Sequence, residues 1–226
     1  MSIEGILFDF GGTLDSDGGH WLDRTYALYE RRRLQVPRLE IKQAFYAADE
    51  ACDQADTVRH RTLRALMTYH FEYQLHQLGI PSSEDSAWLA GEFCRDAEAA
   101  FQRNRPTLEQ LSRKYPLGVL SNFYGNLAEI LEEAGIARFF KAVLDSSRER
   151  LHKPDLEFFK LGCERLRVAP ANTAMVGDNL DRDVAPAKEL GMKTFWVTGN
   201  GKRTATRMGF ADHQVAVLGD ILSYLG

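Results

Sequence analysis

Apolar positions fall in two textures along the chain. Ile6-Leu7-Phe8 is a short unbroken apolar run that stops at Asp9, the pattern of a buried strand closed by a turn. From about His20 to Arg105 apolar residues recur at helical spacing, and no strand signal interrupts them. Trp21, Leu28 and Tyr29 mark a first helical segment that Pro37 ends. A second runs from about Leu39 to Asp56 and a third from about Thr62 to Leu78. Gly79-Ile80-Pro81-Ser82-Ser83 breaks the pattern, with serines able to cap a fourth segment from about Glu84 to Asn104. Pro106 is expected to open a separate helix leading to Tyr115. Beyond it, short apolar runs alternate with amphipathic segments. The strand candidates are Leu117–Leu120, Ala142–Leu144, Thr173–Val176, Lys193–Val197 and Val215–Leu218. Helices are expected around Leu127–Ala134, Leu156–Leu166 and Val184–Leu190, with Gly135 and Gly191 just past two of them as C-caps. Such alternation predicts an α/β fold with a parallel sheet. The first strand joins that sheet, so the helical stretch is an insertion over its carboxyl end. The expected division is a core of residues 1–17 and 106–226 and an all-helical cap of residues 18–105.

Bulk properties narrow the function classes. A length of 226 residues suits one α/β domain with a sizeable insertion. With 28 basic and 32 acidic residues the net charge is -4, which gives no nucleic-acid footprint. No apolar run approaches the ~20 residues of a membrane span. Met1-Ser2-Ile3-Glu4 leads straight into the first strand without a signal-peptide pattern. Cys52, Cys94 and Cys163 are far apart and show no metal-ligand spacing, as expected of reduced thiols in a cytoplasmic protein.

The candidate chemistry sits at strand ends, where open α/β sheets bind ligands. Asp9 ends the first strand, and a carboxylate there can attack phosphorus and split hydrolysis into two steps. Gly11 and Gly12 permit a sharp turn and a close ligand approach. Asp178 follows a later strand on the same edge. Two converging carboxylates repel each other unless a cation lies between them, and Mg²⁺ suits such a site. Ser121 and Asn122 end another strand, where a hydroxyl and backbone N–H groups can hold phosphoryl oxygens. Lys153 precedes Pro154, which suits the first position of a helix; an ammonium there would stabilise an anionic nucleophile. Taken singly, each has an ordinary alternative: an Asp-Gly turn, a Ser-Asn turn, a helix start, a helix N-cap.

Phe8-Asp9-Phe10-Gly11-Gly12-Thr13-Leu14, Gly118-Val119-Leu120-Ser121-Asn122, His152-Lys153-Pro154-Asp155 and Met175-Val176-Gly177-Asp178-Asn179-Leu180-Asp181-Arg182-Asp183 stand in order. Their order and rough distances resemble the haloacid dehalogenase-like (HAD) hydrolase superfamily over nearly the whole chain. The four-part combination is specific, although no single part is. The resemblance implies a Rossmann-like core with a helical cap, and a Mg²⁺-dependent phosphatase forming an aspartyl-phosphate on Asp9. It implies Asp9, the backbone carbonyl of Gly11 and Asp178 as metal ligands, with Asp183 supporting them by hydrogen bonding. Ser121 stands where the superfamily has Ser or Thr. The expected partner is a small phosphorylated metabolite, with no nucleic acid and no membrane, for a monomer or homodimer. Gly12, His20 and Arg24 are candidate substrate contacts, with Trp21 nearby. Arg59, His60, Arg61 and Arg64 form a basic cluster in the cap that can meet an anion or face solvent. Arg31-Arg32-Arg33 reads as a solvated helix end and Lys202-Arg203 as a surface loop.

One position departs from the pattern. HAD phosphatases carry a second Asp two residues after the nucleophile, and here that residue is Gly11. A missing general acid/base forfeits ~10²–10⁴ in rate, which favours leaving groups such as acyl or aryl phosphates. The vacated space is open to a substrate group, a water or a cap residue such as His20, and restoring Asp at position 11 is expected to raise activity on alkyl phosphates. The superfamily's dehalogenases also lack this Asp, but they lack an acidic ligand at the place of Asp178 too. Two further readings stay open: a weakly active protein that binds ligands or a partner, and a dehalogenase-like hydrolase.

Overall fold

β1 (Gly5–Phe8) is buried at every position and lies in the middle of a six-stranded parallel sheet. The computed structural model describes residues 2–55, 61–199 and 209–225. The cap helices follow β1: α1 (Trp21–Arg32), α2 (Arg38–Gln54), α3 (Leu63–Gln77) and α4 (Ser83–Ser112). The chain then returns to the sheet through β2 (Leu117–Ser121), α5 (Leu127–Glu133), β3 (Phe140–Asp145), the short α6 (Ser146–Glu149) and α7 (Leu156–Leu166). β4 (Thr173–Gly177), α8 (Ala185–Glu189), β5 (Lys193–Val197), β6 (His213–Val215) and α9 (Leu222–Leu225) complete it.

The sheet order is β3-β2-β1-β4-β5-β6. The chain therefore winds to one side of β1 and then to the other, which puts a switch point between β1 and β4, where such sheets form a ligand crevice. Phe8 is in register with Val119 of β2 and Val176 of β4, so the first residues past these strands meet on one edge. Alternate side chains of β1 enter separate cores. Ile6 and Phe8 join a cluster that continues through Trp21, Phe45, Phe71, Phe93 and Phe101 of the cap. Leu7 packs with Leu120, Phe158, Phe159 and Met175 on the other face. One apolar core thus spans sheet and cap and fixes where the cap stands. No described helix is long and apolar enough to cross a membrane.

The structure corrects four expectations. The fourth cap segment and the helix expected to open at Pro106 are one helix of 30 residues, with Pro106 inside it. An interior proline costs ~3 kcal/mol or more, because it lacks an N–H and crowds the carbonyl one turn back. Buried Phe101, Asn104, Leu108 and Leu111 anchor both halves, and Asn104 Nδ2 donates to the Leu14 carbonyl at 3.1 Å. Pro154 is not the first helical residue, since α7 begins at Leu156 and Lys153 sits in the preceding loop. The expected strand Val215–Leu218 ends at Val215, and Leu218 instead starts a 3₁₀ turn, where its N–H donates to Asp17 Oδ1 at 2.9 Å. The helix expected over Val184–Leu190 divides into a π-helical turn (Leu180–Val184) and α8.

Candidate active site

Asp9 stands just past β1 and is almost fully buried. Thr13 Oγ1 donates to its Oδ2 at 3.1 Å, and Ser121 Oγ donates to its Oδ1 at 3.3 Å. Lys153 Nζ reaches the same Oδ1 at 2.5 Å and Asp183 Oδ1 at 2.7 Å. Asn122 fixes the lysine through its backbone: Asn122 Oδ1 accepts from Lys153 N at 2.7 Å, and Asn122 Nδ2 donates to Lys153 O at 3.0 Å. The Asn122 side chain is thereby a clamp on the lysine loop. Burial opposes the Lys153 ammonium, but the Asp183 and Asp9 carboxylates outweigh it and hold its pKa above the usual value.

Asp178 and Asp183 complete the acidic group. Ligand atoms of Asp9, Asp178 and Asp183 all lie within 4.8 Å of one another. Asp183 uses both oxygens, one on Lys153 and the other on the Asn179 N–H at 3.0 Å. The Asp178 carboxylate accepts no hydrogen bond from the described residues, while its backbone carbonyl accepts from Trp196 Nε1 at 2.8 Å. Burial and the neighbouring Asp9 and Asp183 charges push its pKa well up. An all-oxygen donor set with one carboxylate left without donors fits a hard divalent cation. Glycines make this crowding possible. A Cβ on Gly12, at φ +95°, would overlap the Asp178 carboxylate, and one on Gly177 would overlap Asp183. Asp9, Gly11, Ser121, Asn122, Lys153 and Asp178 line one cavity, and Asp183 also faces it.

The family description haloacid dehalogenase-like hydrolase matches residues 3–191. The chain belongs to this family. A 66-residue stretch is 48% identical to the glyceraldehyde 3-phosphate phosphatase of Methanocaldococcus jannaschii, covering 29% of each protein. Haloacid dehalogenase-like hydrolase domain-containing protein 3 of Bos taurus is 29% identical over 178 residues, which are 74% of this chain and 70% of that protein. Among solved structures, the HAD-hydrolase YfnB from Bacillus subtilis, bound to magnesium, superposes with a TM-score of 0.61 at 20% identity. That superposition covers 100% of this chain and 99% of YfnB and shows the shared fold.

In this HAD hydrolase the space beside Gly11 is filled by Trp21, not His20. A Cβ on Gly11 would stand 3.1 Å from the indole Nε1. That indole donates to Asp15 Oδ2 at 2.7 Å, and Asp15 Oδ1 accepts from the Gly12 N–H at 2.7 Å. Gly11 itself has no positive φ. The obstacle to an aspartate there is therefore Trp21, and the expected gain from Gly11→Asp meets a filled space. His20 caps α1 instead: its Nδ1 accepts from Leu22 N at 3.2 Å, and burial lowers its pKa. It still lines the cavity, and the neutral ring carries its proton on Nε2.

Two candidate substrate contacts are otherwise engaged. Arg24 Nη1 pairs with Asp15 Oδ2 at 2.6 Å, Nη2 donates to the Phe93 carbonyl at 2.9 Å, and the guanidinium lies 3.6 Å from the Phe93 ring centroid. Arg24 does not line the cavity. The Gly12 N–H is committed to Asp15, so this glycine serves the approach of Asp178. Arg61 and Arg64 also lie away from the cavity: Arg61 stacks on Tyr69 and Arg64 lines a separate cleft with Cys94. Arg59, His60, Lys202 and Arg203 lie outside the described residues. The residues that sequence reading missed are Asp15, Phe45, Asp49, Tyr124 and Arg182. Asp15 stands in a polar, Gly-rich stretch, Asp15-Ser16-Asp17-Gly18-Gly19, yet it is fully buried. Asp49 had one local signal: it follows Phe45 by one helical turn and breaks an apolar stripe of Ile41, Phe45, Ala48 and Cys52.

Proposed function

We propose that this chain is a Mg²⁺-dependent phosphatase that hydrolyses a small phosphorylated metabolite through an aspartyl-phosphate on Asp9. The observation that carries this reading is Asp9 itself, a buried carboxylate bonded to Thr13, Ser121 and Lys153 beside the donor-free Asp178. The Lys153 ammonium holds the Asp9 carboxylate in place, and the Ser121 hydroxyl would turn its one proton from Asp9 to a phosphoryl oxygen. Asp9, Asp178 and the Gly11 carbonyl would hold Mg²⁺, which when bound draws charge from the phosphoryl oxygens. Asp183 orients Lys153, and His20 presents an N–H donor toward the cavity. Residues 18–105 act as a cap that excludes water from the site. With Trp21 over Gly11, that position holds no titratable group. The favoured leaving groups are therefore those needing little protonation, acyl and aryl phosphates.

The filled position at Gly11 also favours a second reading, a protein that binds phosphorylated ligands and turns them over slowly. Phosphoenzyme trapping separates the two. With Mg²⁺ and a labelled acyl phosphate, the native chain is expected to carry label on Asp9, and Asp9→Asn none. Absence of label with every donor, alongside tight ligand binding, would sink the phosphatase reading.

A further inference from the structure

On the cap side of the cavity a line of polar side chains runs through otherwise apolar helix packing. Tyr29 on α1 donates from its hydroxyl to Gln74 Oε1 at 3.2 Å. Gln74 Nε2 faces His70 Nδ1 at 2.7 Å, and His70 Nε2 meets Asp49 Oδ1 on α2 at 3.1 Å. The two ring nitrogens of His70 thus join Gln74 of its own helix to Asp49 of α2. The His70 ring is fixed edge-on to Phe45, with centroids 5.0 Å apart. Tyr29, His70 and Gln74 are fully buried or nearly so, and Asp49 is the link that reaches the cavity. From the core side, Tyr124 donates to the same Asp49 Oδ1 at 2.5 Å. Burial and the Asp49 charge hold the Tyr124 phenol well above its ordinary pKa, so it remains a donor.

Both donors go to Oδ1, and Oδ2 takes no hydrogen bond from the described residues. The Asp49 side chain is 32% exposed, and the residue lines the cavity. Its hydrogen-bond partners among the described residues are the Tyr124 hydroxyl and the His70 ring. A carboxylate oriented by three cap helices and a core loop, with one oxygen free of hydrogen bonds from the described residues, is a built acceptor. Phe45, Tyr46 and Tyr124 line the cavity around it. Aromatic faces attract a cation and offer a neutral hydroxyl much less.

We propose that Asp49 is a specificity determinant, whose free oxygen receives a primary ammonium group carried on the leaving group of the phosphorylated substrate. The proposal rests on the phosphatase reading for its kinetic form. It assigns the phosphate end to Asp9, Ser121 and Lys153 and the ammonium end to the cap wall. His70 and Tyr124 are positioning residues, since they act through Asp49.

The test uses aryl phosphates of matched size, which suit a site without a general acid: para- and meta-(aminomethyl)phenyl phosphate, the hydroxymethyl analogues and the ethylphenyl phosphates, with Mg²⁺. The native chain is expected to prefer one aminomethyl ester over its ethyl counterpart by about ten-fold or more in kcat/KM, through KM. Asp49→Asn is expected to bring this ratio near one. Tyr124→Phe and His70→Gln are expected to lower it part way, an effect that loss of packing alone would not produce. A ratio near one in the native chain, or one preserved in Asp49→Asn, overturns the proposal. If the native chain hydrolyses none of these esters, the phosphatase reading fails separately. Calorimetry with (aminomethyl)benzylphosphonate and ethylbenzylphosphonate then decides on Asp49: the same preference is expected, and equal binding overturns it. If Asp49→Asn does not fold, the ratios of Tyr124→Phe and His70→Gln decide by the same criterion.

Discussion

The two walls of the cavity are built differently. On the sheet side, Asp9, Ser121, Lys153 and Asp183 bond one another directly, Asp9 and Ser121 from strand ends and the other two from the loops and turns that follow. On the cap side, Trp21 and Asp49 are held through intermediaries: Asp15 for the indole, and His70 and Tyr124 for the carboxylate. The sheet wall concentrates charge, with one ammonium among three carboxylates. The cap wall is mostly aromatic, with one acceptor. The contrast is between a charged sheet edge, suited to the proposed reaction, and a largely aromatic helical wall, suited to the proposed choice of substrate.

Breaking the sheet wall should have the largest effects. Asp9→Asn is expected to abolish turnover of acyl and aryl phosphates in a steady-state assay, because the proposed nucleophile is removed. Activity above background would show that another group attacks. Lys153→Met leaves Asp9 and Asp183 buried without their ammonium and is expected to cost about 3–5 kcal/mol, read by denaturant unfolding. A loss below about 1 kcal/mol would mean that water or a cation replaces the lysine without penalty.

A third test sharpens the electrostatic contrast. In the metal-free chain, burial and like charge raise the Asp178 pKa, and burial lifts that of Asp183 to about 6. The folded state therefore holds these protons more tightly than the unfolded chain, where Asp titrates near ~3.9. Their contribution is fully present below that value and is lost as pH rises through the folded values, near 6 for Asp183. Mg²⁺ bound as proposed would take the place of the protons, so its increment in Tm should grow from about pH 5 to about pH 8, by roughly 2–4 °C per kcal/mol. An increment that is flat with pH would separate the metal from these carboxylates. The smallest effect is expected at the junction of the two walls. Gly11→Asp alone should bring no gain on alkyl phosphates, because Trp21 fills the space. A gain approaching the ~10²–10⁴ of general acid/base catalysis would show that the indole yields and that the cap wall is softer than its bonding implies.

The sheet wall was legible because each of its residues is fixed by local pattern. A strand, its terminal residue and the turn after it are contiguous in sequence, and parallel pairing brings such ends to one edge. Asp9, Ser121 and Asp178 needed only that rule, and Lys153 its motif. The role of Asn122 was less legible, because its partner is a backbone 31 positions away. The cap wall was not legible, because helix packing rather than chain neighbourhood assembles it. Tyr124 and Asp49 are 75 positions apart, and Arg103 on α4 pairs with Asp17 across 86. Helical spacing announced four apolar faces but not which polar residue beside them would open on the site. The same physics carried α4 straight through Pro106. Local preference called for a break there, but the burial of Phe101, Leu108 and Leu111 on one continuous face outweighed a single missing hydrogen bond. Sequence alone therefore determined the acidic edge and the order of elements, since these depend on contiguous residues. Tertiary structure decided what covers Gly11 and what the cap offers a substrate, since both depend on side chains that meet only when the helices pack.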